Sequence, residues 1–273
     1  MDHQQLIKFL EIATEAAQKG GEVLEKYWGT QLDIQEKLFA GNLVTEADKE
    51  SEKVILDLLK KTFPTHSILS EEAGLTDTKG SEFSWVVDPL DGTTNYTHQY
   101  PMVSISIALV HEDKPIVGVV YNPIHKELFQ AAKGIKSTLN GHPIQVSKVT
   151  SLPQSLLATG FAYDRRETAD NNYAEFCHMT HLSQGVRREG SAALDLAYVA
   201  CGRLDGYWER GLNPWDIAAG VILIEEAGGK VSSYEGDPLI LETGRILASN
   251  GLIHNELIQE LQNVGDGKPQ PYY

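Results

Sequence analysis

Three things are scarce in this chain, and each scarcity closes off a class of explanation. Cysteine occurs twice in 273 residues, at Cys177 and Cys201. Both fall in helix-like segments, so they read as packing residues; no disulfide framework is expected, and the setting is a reducing, cytoplasmic one. Positive charge is short: 23 Lys and Arg face 38 Asp and Glu, a formal net charge of −15. Nucleic-acid and anionic-membrane surfaces rely on clustered cations that displace counterions, so neither partner is expected. Long apolar runs are also missing, since no stretch approaches the ~18 residues of a membrane span. Met1-Asp2-His3-Gln4-Gln5 shows no basic region ahead of an apolar one, and the expectation is a soluble, unexported protein.

What is present is material for a core. At 41% hydrophobic, the chain can form one large domain or two intimate lobes. Part of the acidic excess is solubilising charge, but carboxylates gathered in a cleft would also recruit divalent metal.

The organising stretch is Trp85-Val86-Val87-Asp88-Pro89-Leu90-Asp91-Gly92-Thr93-Thr94-Asn95-Tyr96. Trp85, Val86 and Val87 lack polar alternation and read as the end of a buried strand. The strand is expected to stop at Asp88, because Pro89 cannot extend a ladder and Gly92 permits a tight turn. That leaves Asp88 and Asp91 at a strand mouth, a place to hold a cation. Gly92, Thr93 and Thr94 follow with N–H groups and hydroxyls open to an anion. The same pattern also serves as a solvated turn or a helix N-cap.

Taken in order, residues 6–28 have helical apolar spacing, with Gly20-Gly21 as a kink or a close-packing point. Residues 32–38 read as short and extended, and Phe39-Ala40-Gly41-Asn42 as a loop. Thr45 and Asp48 suit a capping box opening a helix to Phe63, with Val54, Ile55, Leu58 and Leu59 as its buried stripe and Pro64 as its stop. Ser67-Ile68-Leu69-Ser70 is a short strand running into Glu71-Glu72. These glutamates are either solvated loop residues or, if this strand lies beside the one ending at Val87, cleft residues. Runs at 103–110, 116–121 and 127–132 predict an antiparallel meander, and Asn140-Gly141 a further hairpin. A composition shift near 148–153 marks a lobe boundary. Beyond it, strands near 156–159, 186, 206–209, 230–233 and 246–249 alternate with helices at 171–181, 191–201, 215–227 and 254–264. The tail from Gly265 to Pro271 reads as loose.

A third stretch, Asn213-Pro214-Trp215-Asp216-Ile217-Ala218-Ala219-Gly220, puts Asp216 at a helix start, where a carboxylate gains from the dipole. It is a cap, a ligand or both. With this stretch in hand, the chain resembles the inositol monophosphatase family of magnesium-dependent, lithium-sensitive phosphatases. The residues that carry the resemblance are Glu71, the run Asp88-Pro89-Leu90-Asp91-Gly92-Thr93-Thr94-Asn95, and Trp215-Asp216 with Ala218-Ala219-Gly220 and Glu225, Ala227, Gly228 and Gly229. The resemblance reaches from the first helix to about Ile258. It implies an α+β fold, the layered α/β/α/β/α sandwich of the inositol monophosphatase and fructose-1,6-bisphosphatase type, and a homodimer. Residues 1–150 would form an N-terminal α+β lobe with most metal ligands, and 151–273 a C-terminal α/β lobe with substrate contacts and Asp216.

The resemblance assigns Glu71, Asp88 and the Leu90 carbonyl to one Mg2+, and Asp88, Asp91 and Asp216 to another. A third, weaker ion would lean on Glu71. Mn2+ would substitute, while Ca2+ and Li+ would inhibit. The oxygen-only donor set agrees independently, because hard cations take carboxylates and carbonyls whereas zinc prefers His or Cys. Gly92 and Thr93 would hold phosphate, and Asp48, through Thr93, would orient the attacking water, with Glu71 also in the catalytic set. Asp48 thus has two candidate jobs, helix start and base. Lys37 aligns with a lysine of a mobile loop near the metals. Asp91, Asp216, Gly190, Ser191, Ala192 and Glu209 would contact a small phosphorylated polyol, although Ser191 also suits an ordinary N-cap. Gly160-Phe161-Ala162-Tyr163-Asp164-Arg165-Arg166 resembles a bacterial Gly-Phe-Pro-Tyr-Asp-Arg-Arg run, with Ala162 in place of proline; Arg165 is the candidate to cross a dimer interface.

Three rivals stand beside this reading. A haloacid-dehalogenase-type phosphatase also sets an Asp at a strand end, but with one residue between its two aspartates; here Pro89 and Leu90 both intervene, which predicts direct water attack without a phosphoaspartate. The same chemistry on histidinol phosphate, fructose 1,6-bisphosphate or a phosphoadenosine nucleotide is the second. A non-catalytic regulatory partner is the third.

Overall fold

Along the central strands every second side chain emerges on the same face, and here both faces are apolar. Trp85, Val87, Ile107 and Leu109 enter one core, while Val86 and Ala108 enter another. A sheet of this kind must be covered on both sides. The computed structural model describes residues 2–37 and 42–265; the expected loop at Phe39-Ala40-Gly41 and the tail beyond Gly265 lie outside them.

The first half comprises α1 (His3–Tyr27), β1 (Ile34–Glu36), β2 (Leu43–Thr45), α2 (Glu46–Thr62), β3 (Ser67–Ser70), β4 (Gly74–Thr76), β5 (Phe83–Asp91), α3 (Thr93–Thr97), β6 (Ser104–His111), β7 (Lys114–Asn122), β8 (Glu127–Ala132), β9 (Ile135–Leu139) and β10 (His142–Pro143). The second comprises β11 (Leu156–Thr159), α4 (Tyr173–Leu182), β12 (Gly185–Arg187), α5 (Ala192–Ala200), β13 (Gly206–Glu209), α6 (Pro214–Glu226), β14 (Lys230–Ser232), β15 (Ile246–Ser249) and α7 (His254–Gly265).

An eight-stranded sheet runs β10-β9-β8-β7-β6-β5-β3-β4 and is antiparallel apart from the β3/β5 pair. A five-stranded mixed sheet runs β12-β11-β13-β15-β14. Helices α1 and α2 cover one face of the large sheet, α5 and α6 lie between the two sheets, and α4 and α7 cover the outer face of the small one. Three apolar cores fill the four spaces between these layers, the middle one reaching both faces of the α5 and α6 layer. The fold is the expected α/β/α/β/α sandwich. The middle core draws on Val86 and Val120 as well as Tyr207 and Ile246, so it is continuous across the 150/151 division.

Some local expectations shift. Helix α1 is unbroken through Gly20-Gly21, which serve close packing: a Cβ at Gly21 would meet the Tyr121 ring at 2.5 Å. In α2 the buried apolar stripe is Ile55, Leu56 and Leu59, leaving Val54 and Leu58 half-buried. Strand β5 does not stop at Asp88. It continues over a bulge to Asp91, which pairs with Ser104. Proline is tolerated at a bulge because no ladder N–H is needed there. Its carbonyl finds a donor instead in Ser51 Oγ of α2, at 3.0 Å.

Candidate active site

The bulge in β5 aims Asp88 and Asp91 into an open cleft between the two sheets. Glu71 arrives from the neighbouring strand. Ser70 pairs with Val87 across the parallel β3/β5 ladder, and the Glu71 N–H donates to the Val87 carbonyl at 3.1 Å, so Glu71 lies level with Asp88. Asp216 arrives from the first turn of α6. All four carboxylates, with Leu90, Gly92, Thr93, Gly190, Ser191, Ala192 and Glu209, line this one cleft. Every residue expected to hold metal, phosphate or polyol is there; Asp48 lies behind Thr93, fully buried, and Lys37 does not line the cleft but reaches Glu71.

Each of the three aspartates has one oxygen fixed by the fold. Asp88 Oδ1 accepts from the Leu90 N–H at 2.9 Å. Asp91 Oδ2 accepts from Ser191 Oγ at 2.6 Å and from the Ala193 N–H at 2.8 Å, so Asp91, and not the N-cap residue Ser191, caps α5. Asp216 Oδ2 accepts from the Asn213 N–H at 2.7 Å within a capping box. The cap reading therefore holds for Asp216 and occupies only one of its oxygens.

Behind the cleft, Asp48 Oδ2 accepts from the Thr45 N–H at 2.9 Å and Thr45 Oγ1 at 2.6 Å, which is the capping box. Its other oxygen faces Thr93 Oγ1 at 3.1 Å. Both candidate jobs of Asp48 are thus present in its contacts. Thr93 has one hydroxyl proton and two acceptors in reach, Asp48 Oδ1 and the Leu90 carbonyl at 3.2 Å.

Electrostatics follow from burial and crowding. Burial pushes the Asp48 carboxyl up to about 7 against the opposing Thr45 hydrogen bonds. Asp91 is pushed up to about 6, first by burial, with Ser191 and Ala193 opposing. Burial raises Asp88 well above the usual carboxylate range, and Glu71, Asp91 and Asp216 add to it. Asp216 rises through burial and then the charge of Asp91. Such mutual repulsion suits a divalent cation, whose charge lets neighbouring carboxyls ionise together. Among the described residues, no three such side chains are already drawn into a finished cage. Instead the Lys37 ammonium sits on Glu71 at 2.9 Å and also on Glu72.

Several supporting contacts escaped the sequence reading. Glu52 Oε1 accepts from Ser70 Oγ at 2.5 Å and from the N–H groups of Glu72 and Ala73 at 3.1 and 2.9 Å, pinning the turn that carries Glu71. Its signal was a charged residue at a helical position facing the sheet, spaced like Ile55 and Leu59. Asn95 Nδ2 donates to the carbonyls of Met102 and Glu189 at 2.7 and 2.8 Å, tying the Gly92 turn to the Gly190 turn. Between them Gly92 has φ +94, and a Cβ there would meet the Met102 carbonyl oxygen at 2.9 Å. Arg165 donates to its own Ala162 carbonyl at 3.1 Å, while Arg210 holds Asp164 at 2.6 Å, fixing the 161–164 loop over the cleft.

With the geometry in place, comparison with known proteins is decisive. The profile of the inositol monophosphatase family matches residues 5–266. The chain belongs to that family. An inositol-1-monophosphatase from a Synechocystis species is 59% identical over 253 residues, 93% of this chain and 88% of that protein. A Nus factor SuhB from Pasteurella multocida is 40% identical over 254 residues, covering 93% of this chain and 95% of that one. The solved inositol monophosphatase from Anabaena (Nostoc) superposes with a TM-score of 0.88 at 57% identity, covering 95% of this chain and 97% of that one. The family is one of metal-dependent phosphatases.

Proposed function

We propose that this protein is a Mg2+-dependent phosphomonoesterase that hydrolyses myo-inositol monophosphate to myo-inositol and phosphate. One observation carries the reading: Glu71, Asp88, Asp91 and Asp216, from three separated segments, meet in one cleft beside Gly92 and Thr93. Glu71, Asp88 and the Leu90 carbonyl would hold one cation, Asp88, Asp91 and Asp216 a second, and Glu71 a weaker third. When bound, such ions neutralise phosphate charge and lower the pKa of an attacking water.

The chain's own groups do the rest. The Gly92 and Thr93 N–H groups hold phosphate oxygens, and the Gly92 turn is kept in shape by Asn95. The Thr93 hydroxyl, held by Asp48, accepts a hydrogen bond from the water that attacks phosphorus while passing its own proton's hydrogen bond to the Asp48 carboxylate. Ser191 and Ala193 keep Asp91 oriented. Glu209, buried and held by Tyr207 Oη at 2.5 Å, accepts from polyol hydroxyls.

The working form we propose is a cytoplasmic homodimer of two lobes, 1–150 and 151–273, with Mn2+ able to replace Mg2+ and with Li+ and Ca2+ inhibitory. Among the described residues no helix is long and apolar enough to cross a membrane. A non-catalytic regulatory role is the second reading, and the relatives named Nus factor SuhB support it only weakly; the net charge of −15 weighs against direct RNA contact.

Phosphate release from inositol 1-phosphate, histidinol phosphate, fructose 1,6-bisphosphate and a phosphoadenosine nucleotide, with Mg2+ and with chelator, tests the proposal. The highest kcat/KM is expected for inositol phosphate, with no release in chelator. Preference for another ester would move the substrate, and no release with Mg2+ would remove the hydrolase.

A further inference from the structure

Asp195 is out of character in α5. Its neighbours Leu194, Leu196 and Ala197 are buried apolar residues of the middle core, and an alanine or leucine at this position would carry no electrostatic cost. Asp195 is 1% exposed, and its Oδ1 has no hydrogen-bond partner. Buried polar atoms are normally satisfied, so an orphaned carboxyl oxygen calls for a donor that the chain itself does not supply.

The side chain does border the cleft. Asp195 follows Ser191 by four residues and Ala192 by three, so it shares their helix face. The helix start cannot satisfy it: the Ala193 N–H goes to Asp91, and the Asp195 N–H goes to the Ser191 carbonyl at 3.0 Å. Glu209, a second buried acid, borders the same part of the cleft, and its charge is the side-chain charge acting most strongly on Asp195, with Arg188 opposing. Glu209 already has one donor in Tyr207; Asp195 Oδ1 has none.

We propose that Asp195 is a specificity-determining residue which, together with Glu209, accepts hydrogen bonds from two neighbouring hydroxyls of the substrate's polyol. The inference rests on the phosphatase reading and deepens it: the substrate class is a phosphate monoester bearing adjacent free hydroxyls. Esters without hydroxyls leave Asp195 unpaired and gain nothing from it.

The test compares wild type, Asp195→Ala and Asp195→Asn with Mg2+, on inositol 1-phosphate and on p-nitrophenyl phosphate, which has no hydroxyl, with thermal melts to show that each variant is folded. For Asp195→Ala the KM for inositol phosphate should rise about tenfold, equivalent to ~1.4 kcal/mol, with kcat little changed. Kinetics on p-nitrophenyl phosphate should stay within about twofold, and Asp195→Asn should show the same split at smaller size. Equal changes on both esters, or no change on either, would overturn the inference. If Asp195→Ala does not fold, the Asp195→Asn split decides. Wild type releasing phosphate from neither ester is the distinct failure of the phosphatase reading, and the inference falls with it.

Discussion

Ser191 donates its hydroxyl proton to Asp91 Oδ2 at 2.6 Å, joining the start of α5 to the end of β5. The bond ties the second sheet's helix layer to the carboxylate that the first sheet presents. Neither it nor the Ala193 N–H uses Asp91 Oδ1, the oxygen that the proposed cation would take.

Removing that bond should weaken metal binding in a pH-dependent way. Ser191 holds the Asp91 carboxyl below where burial alone would put it, so Ser191→Ala raises it further above about 6. A cation needs the ionised carboxyl. The Mg2+ concentration for half-maximal activity should therefore rise about tenfold at slightly acid pH, and less at alkaline pH. An identical shift at both would contradict the bond's role.

Asp91→Asn removes charge while keeping shape. Turnover should fall by at least about a thousandfold, ~4 kcal/mol of transition-state stabilisation. The chelated variant should also melt at a higher temperature than chelated wild type at neutral pH, because a buried, repelled charge is gone. Wild-type turnover, or a lower melting temperature without metal, would defeat the ligand assignment.

The metal-free protein should lose stability as pH rises. Asp91 moves from 3.8 to about 6 on folding, and Asp88 and Asp216 also move upward. The folded state then binds more protons than the unfolded state across that window. Their contribution is fully present below the unfolded value and is lost as pH rises through the folded one. Melting of chelated wild type against chelated Asp91→Asn should show wild type falling behind between about pH 4 and pH 6, with Mg2+ restoring wild type alone. A gain by wild type over that range would contradict the account.

Asp48→Asn should lower kcat by about 10²–10⁴, with KM little changed, since it removes the base while leaving an acceptor for the Thr45 N–H. In wild type the acid limb of kcat should lie at or below about 7, where burial places Asp48. A variant retaining full kcat would leave Asp48 as a helix cap alone.

What the sequence disclosed depended on how local the cause was. The Asp88 to Asn95 run, the capping box at Thr45 and the Asn140-Gly141 turn are decided within a few residues, and each sits where expected. The halt of β5 at Asp88 was misjudged because the carbonyl of Pro89 is satisfied by Ser51, 38 positions away. Glu52, and the bracing bonds of Asn95, were missed for the same reason. Their partners, Ser70 and the turns at Met102 and Glu189, lie on other elements, and nothing in the local pattern separates such residues from solvated ones. Asp216 shows the converse: the cap was legible, and the cleft it faces came only with the fold.

The central claim is that acids from three segments hold divalent cations as a unit. Calorimetric titration with Mg2+ of wild type, Asp88→Asn and Asp216→Asn, in two buffers of different ionisation heat, tests it most directly. The account predicts tight binding with net proton release by wild type, and loss of that binding in both variants. Wild-type affinity retained in both would contradict it.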